Sequence, residues 1–265
     1  MRRMITTLVV CGALLTGVAP AHAVIKNPVQ ALKAVLAPGR GMHVTETTTL
    51  MEGAAERTER RREGTFAFDA EGRITALDVR TTGGEYGPER AIGFNHDIGG
   101  TSYQSGGRIG KWLTKGKTWW KDSHRLHLWH TELLGYDEQL INPAEPATLA
   151  ALLKHGQRDG DTVTGTLTFK ELVRVSRWAQ HSTHGQWDQE GELSYTVTLT
   201  PAGLVGRVRS TFTFPDVFEE LTGRTLYVDT RYHGWGEKVS IKAPDARKTT
   251  TELCVEGLCN WRLPG

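Results

Sequence analysis

Three histidines three residues apart, His124, His127 and His130, and a further pair, His181 and His184, are the chain's strongest chemical signal. On a helix the first three would fall around one side, where imidazole nitrogens can ligate a metal. The segment has no His-Glu-x-x-His arrangement, however, and Leu126, Leu128 and Trp129 separate its histidines. Ser102, Ser105 and Ser123 stand near glycines or His124, yet none lies in the Gly-x-Ser-x-Gly elbow of a hydrolase. The acidic neighbours Glu219 and Glu220, and Asp159 and Asp161, read as helix-end and turn residues, because acid–base work needs a spatial placement that adjacency does not supply. The expectation is a non-enzymatic protein with no catalytic residue, metal or cofactor. A metal-dependent hydrolase built on the histidine-rich middle is the enzymatic alternative.

Two further groups have chemistry to offer. Tyr232, His233 and Trp235 lie in "YHGWG" between two alternating runs, which predicts two last strands meeting at a Gly-Trp-Gly turn, where Gly234 and Gly236 can take positive backbone angles. There Tyr232 and Trp235 would cover a sheet edge or cavity mouth, and His233 would face solvent. Cys254 and Cys259, in "CVEGLC", predict a structural disulfide loop, with Gly257 easing so tight a closure.

The chain's first 23 residues carry the marks of a secretory signal: Arg2 and Arg3, an apolar run from Ile5 to Val18, and Ala21-His22-Ala23 as a cleavage site. That run is too short to span a bilayer. Cys11 lies inside it, preceded by Leu8-Val9-Val10 with no small residue among them, so lipid anchoring is not expected. Of the 32 basic and 30 acidic side chains, only Arg2 and Arg3 fall in the signal, which leaves charges balanced and argues against a nucleic-acid partner. The remainder, 24–265, reads as a single exported domain, with the disulfide loop at 254–259 near its end.

Elements to hold these residues follow from patterning. "NPVQALKAVLAPG" predicts a helix over Pro28–Ala37, with Asn27 as its cap and Pro38-Gly39 as its stop. Residues 43–52 and "EGTFAFDAEGRITALDVRTT" predict strands, the latter a pair joined at Asp69–Gly72. Arg57, Arg60, Arg61 and Arg62, interleaved with Glu56, Glu59 and Glu63, read as the solvated side of a long strand or its loop. "NPAEPATLAALLKHG" predicts a helix burying Leu149, Leu152 and Leu153; "DTVTGTLTFKELVRVSRWAQ" predicts a strand entering a helix near Phe169–Ala179. "GELSYTVTLTPAGLVGRVRSTFTF" predicts an antiparallel hairpin turning at Thr200–Gly203.

The ordered set "NPAEPATLAALLKHG", "VTGTLTFKELVRVS", "YTVTLTPAGLVGRVRSTF" and "YHGWGEKVSIKAP" resembles the actinobacterial lipoprotein-like members of the LolA/LppX/LprG superfamily, over roughly Asn27–Pro244. The resemblance implies a mainly β fold with helices: a bent, incomplete antiparallel β-barrel whose helices cover the concave face. It also implies a non-enzymatic carrier or binding protein for lipids, acylated molecules or other elongated hydrophobic ligands, on the outer side of the cell envelope or secreted. A membrane or envelope protein would be the donor or acceptor. Carried onto this chain, the cavity wall would draw on Phe66, Phe68, Leu77, Val79, Leu149, Leu152, Leu153, Tyr195, Val197, Val208, Phe212 and Phe214. Its rim would draw on Trp112, Trp119, Trp120, Tyr232 and Trp235. Many relatives carry a lipidated cysteine after the signal, which is missing here, and the Trp- and His-rich middle exceeds what an acyl-chain tunnel needs. A secreted structural or protein-interaction domain with a filled core is the alternative reading.

Overall fold

The computed structural model describes residues 27–52, 55–83, 87–94, 100–122, 138–182, 191–214, 222–255 and 258–261. The signal segment and the histidines at 124, 127, 130 and 184 lie outside them, as do Ser123, Trp129, Glu219 and Glu220. Asn27 opens the described chain by accepting hydrogen bonds on Oδ1 from the amides of Val29 (3.0 Å) and Gln30 (3.4 Å). Pro28 follows at the first helical position, where an amide would have no partner, and α1 runs over Pro28–Val35.

Six strands come next: β1 (Arg40–Glu52), β2 (Ala55–Phe68), β3 (Ile74–Thr82), β4 (Glu89–Phe94), β5 (Thr101–Gly106) and β6 (Trp119–Asp122). Each pairs antiparallel with its predecessor. A short helix that the patterning did not announce, α2 (Gly107–Trp112), precedes β6. The chain then reaches α3 (Pro146–His155), β7 (Gln157–Asp159), β8 (Thr162–Thr168), α4 (Phe169–Val175) and α5 (Arg177–Ser182). It returns through β9 (Glu192–Leu199), β10 (Val205–Thr213) and β11 (Thr225–Lys238). β11 lies against β1, so two meanders join in one sheet ordered β6-β5-β4-β3-β2-β1-β11-β10-β9-β8-β7. Among the described residues the outermost strands do not pair with each other, which leaves the barrel incomplete. β12 (Thr249–Thr250) adds a parallel rung on β6, covering part of an edge whose unpaired amides would otherwise recruit other strands.

Alternation sets the two faces. Along β1, Met42, Val44, Glu46 and Thr48 are buried, whereas Thr45 is exposed and Thr47 and Thr49 are half-exposed. Inward residues of both meanders meet Leu32 of α1, Leu149 and Leu152 of α3, Phe169 and Leu172 of α4 and Ala179 of α5 in one apolar cluster. The helices therefore cover this inner face, as expected of the fold class.

Three local expectations need correction. The helix near Phe169–Ala179 is two helices, because the Thr168 capping box starts α4 and Ser176 restarts the chain: its Oγ accepts from the Ala179 amide at 3.0 Å. The last two strands are one. β11 runs through Gly234-Trp235-Gly236, which is a bulge: β1 advances from His43 to Gly41 while β11 advances from His233 to Glu237. Positive φ at Gly234 (65°) and Gly236 (78°) absorbs the extra residues. Residues 239–244 form no strand. Finally, the arginine run is not all solvated. Arg61 faces out, but β alternation turns Arg62 inward, where its side chain is only 9% exposed.

The disulfide forms as expected, joining Cys254 of β13 (Leu253–Val255) to Cys259 of β14 (Leu258–Trp261). Leu253 beside it is buried and bridges to Leu113, which seats this small hairpin next to α2.

Candidate functional site

Residues 138–145 cross the inner face as a strap without helix or strand, and Leu140, Ile141 and Ala144 in it are almost wholly buried. Polar contacts hold its start. The Arg62 guanidinium lies 2.9 Å from Glu138 on the strap and 3.1 Å from Glu46 on β1. Thr230 Oγ1 donates to Glu46 (2.8 Å) and receives the Gln139 amide (3.3 Å), while Ser210 donates to Gln139 Oε1 at 2.9 Å. The strap carbonyl of Gln139 accepts from Trp178 Nε1 at 2.8 Å. Its far end is held by Glu145, which accepts from the Trp178 amide (3.0 Å) and the Thr148 hydroxyl (2.8 Å).

Burial pushes the Glu145 carboxyl above its ordinary 4.5, against hydrogen bonds from Ser176, Trp178, Thr148 and Arg177. The folded chain then keeps this proton to a higher pH than the unfolded chain does. Its contribution to stability falls as pH rises from about 4.5 to the raised value. Glu145→Gln keeps an acceptor for Trp178 and is expected to flatten that decline, so its advantage over the parent should grow between pH 4 and pH 7. Urea unfolding of both proteins across that range checks it; parallel pH profiles would remove Glu145 as the source.

Between strap and sheet lies a cavity of about 40 Å³, walled by Met42, Val44, Phe66, Ile74, Val79 and Ile141 among others, with Arg62 and Asn142 at its polar side. This is room for about three water molecules and not for an acyl chain. Asn142 is 5% exposed. Its Oδ1 accepts from the Ala144 amide at 3.0 Å, which fixes the side-chain orientation, and Nδ2 then has no hydrogen-bond partner among the described residues.

No family model matches this sequence, and no curated protein matches it. Among solved structures the chain is similar to the Mycobacterium tuberculosis lipoprotein LppX, at 12% identity over 84% of this chain and 99% of that one, with a TM-score of 0.37. It is also similar to a "putative outer membrane lipoprotein-sorting protein domain" from Vibrio parahaemolyticus, at 10% identity over 78% and 91% of the two chains and a TM-score of 0.27. At these identities the likeness is one of fold alone.

The residues expected to wall a cavity are buried, with one exception, but the cavity does not gather them all. Phe66 and Val79 line it. Phe68, Leu77, Leu149, Leu152, Tyr195, Val197, Val208, Phe212 and Phe214 belong to the packed cluster around it, and Leu153 lies half-buried against that cluster. Phe212 meets Phe169 and Phe214 edge-on, and the Tyr195 hydroxyl donates to the Leu152 carbonyl at 2.7 Å. Burial raises that phenol to about 12, so it stays a donor throughout the neutral range.

The five expected rim aromatics split into two places. Tyr232 lines the cavity, its phenol pushed well above the ordinary value by burial and then by the Glu46 charge. Trp235 stacks obliquely near Tyr232 and Phe68, and its indole donates to the Val205 carbonyl at 2.7 Å. Trp112, Trp119 and Trp120 sit instead at the β5–β6 edge. Trp120 is buried on the inner face, Trp119 lies under Arg90 on the outer face, and Trp112 under Arg108 on α2.

Among the other chemical candidates, Ser102 is buried on β5 opposite Asp122 of β6, and His181 lies in α5 with its side chain outside the described set. His233 is exposed and meets His43 across the strands at 5.5 Å. No group of three or more His, Cys, Asp or Glu residues able to hold a metal occurs among the described residues, and no described helix is long and apolar enough to cross a membrane. Sequence reading missed the polar network. Its signal was present: Glu46 shares the inward phase of Met42 and Val44, and Arg62 that of Phe66 and Phe68.

Proposed function

We propose that this protein is an exported, non-enzymatic carrier or binding protein for a lipid or other elongated hydrophobic molecule, whose ligand lies between the inner face of the sheet and the strap. The observation that carries this reading is the cavity's wall: apolar on most sides, with the buried Asn142 Nδ2 unmatched. An unpaired buried donor costs about 1–3 kcal/mol. A ligand carbonyl or ester oxygen at the head of an apolar chain would meet that donor. In this reading the strap is the element that lifts, since it pairs with no described strand, and a ligand that offsets the burial of Leu140, Ile141 and Ala144 shifts the population towards the lifted form.

The same 40 Å³ favours a second reading, a filled structural or protein-interaction domain in which ordered water satisfies Asn142. Native mass spectrometry of the protein exported by its own host and purified without detergent separates the two. The carrier reading expects a stoichiometric adduct that organic extraction resolves as an acylated species, from a membrane or envelope donor. A clean mass, with no uptake of cis-parinaric acid or a diacylglycerol, overturns it in favour of the filled domain.

A further inference from the structure

The outer face of the sheet carries an arrangement that the cavity reading does not use. One cross-strand row reads Arg207, Arg231, Thr45, Glu63, Arg80, Arg90, Ser105 from β10 to β5. The neighbouring row reads Arg209, Asp229, Thr47, Arg61, Thr82. Arg207 thus stands directly opposite Arg231, and Arg80 directly opposite Arg90, a juxtaposition that repels and that sheets ordinarily avoid.

In each pair one member is neutralised. Arg207 makes a two-pronged ion pair with Asp229, and Arg90 does the same with Asp78 at 2.8 and 2.6 Å. Arg231, Arg80 and Arg209 are exposed and make no direct ion-pair contact among the described residues, although the charges of Arg231 and Arg209 both act on Asp229. Three strand spacings separate Arg231 from Arg80, or roughly 14 Å.

These side chains line one trough. A hollow of about 1010 Å³ includes Thr45, Arg61, Glu63, Arg80, Arg90 and Arg231. It shares Thr47, Arg61 and Asp229 with a second of about 690 Å³, which runs on past Thr49, Arg209 and Tyr227. Tyr227, 48% exposed, is the one large hydrophobic side chain left open to solvent among the described residues.

We infer that this trough is a binding site for a linear anionic glycan. Guanidinium groups with free donors fit carboxylate or phosphate substituents spaced along a chain. Threonine hydroxyls between them both donate to and accept from sugar hydroxyls, and the Glu63 carboxylate accepts from them. The two adjoining hollows follow the cross-strand rows from β10 to β5, which suits a strand of polymer, and Tyr227 supplies a flat apolar face for a pyranose ring. This site lies on the opposite face from the strap, so it does not depend on the carrier reading.

The test is binding of the mature protein to oligogalacturonate by calorimetry at low and high salt, with neutral dextran, inorganic polyphosphate and phosphatidylglycerol vesicles as parallel probes. The expected result is salt-sensitive oligogalacturonate binding, weakened about tenfold for each of Arg80→Gln and Arg231→Gln, and weakened by Tyr227→Ala as well. All three positions are exposed, and unchanged melting confirms that each variant folds. The inference fails if oligogalacturonate does not bind or if the arginine variants bind it as the parent does. It also fails if polyphosphate or vesicles bind as well as the glycan with Tyr227→Ala without effect, which would mark a general anion or membrane surface.

Discussion

Arg62→Met should lower the stability of this protein by about 3–5 kcal/mol, the effect of leaving buried charge uncompensated. Arg62 stands between Glu46 on β1 and Glu138 on the strap, and all three side chains are less than 10% exposed. Removing the guanidinium leaves two acidic side chains facing each other in a low-dielectric site without the cation between them. For a chain of this length the loss corresponds to a fall in Tm of about 10 °C. A second substitution makes the test specific. Glu138→Gln in the Arg62→Met background removes one of the stranded charges and should recover much of the loss, whereas Glu138→Gln alone should destabilise. Additive losses in the double variant would show that the two residues do not act as a pair. If the strap is the gate to the cavity, Arg62→Met should also take up cis-parinaric acid faster than the parent.

The elements were legible where one local rule sufficed. Asn27-Pro28 marked the start of α1, alternation marked β3, β9 and β10, and Leu149 and Leu152 marked the buried side of α3, because each depends only on neighbours in sequence. The errors came where register or tertiary contact decides. Gly234 and Gly236 permit either a turn or a bulge, and only pairing of β11 with β1 across Gly41–His43 selects the bulge. The arginine-rich half of β2 looked solvated because alternating Arg and Glu suits a surface. Arg62 faces inward because Phe66 and Phe68 on the same strand fix its phase. The strap was hidden for another reason. Gln139, Asn142 and Glu145 follow no period, and their roles come from partners such as Thr230, Ser210 and Trp178, far away in sequence. The outer trough was equally hidden, since its arginines come from β2, β3, β4, β10 and β11 and share a face only through the sheet register.

Gly72→Ala should cost about 4 kcal/mol, through backbone strain and overlap together. Gly72 sits in the β2–β3 turn at φ 82°, after Asp69, whose Oδ1 accepts from the amides of Glu71 and Arg73 at 3.0 Å each. A Cβ at this position would fall 1.9 Å from the Ala144 carbonyl oxygen, so the hairpin tip is pressed against the far end of the strap. Gly116 provides the control: its φ is 83°, but a Cβ there meets nothing within 4 Å. Gly116→Ala should therefore show the backbone term alone, about 1–2 kcal/mol, and the difference between the variants measures the contact with the strap. Urea midpoints at constant slope give both values. Equal losses would mean that the turn does not bear on the strap. A larger loss at Gly72, with faster hydrogen exchange at the amides of Ile141 and Ala144, would locate the damage there. The strap would then be held at both ends by parts of one hairpin, Arg62 on β2 and Gly72 at its tip, and lifting it would require that hairpin to yield.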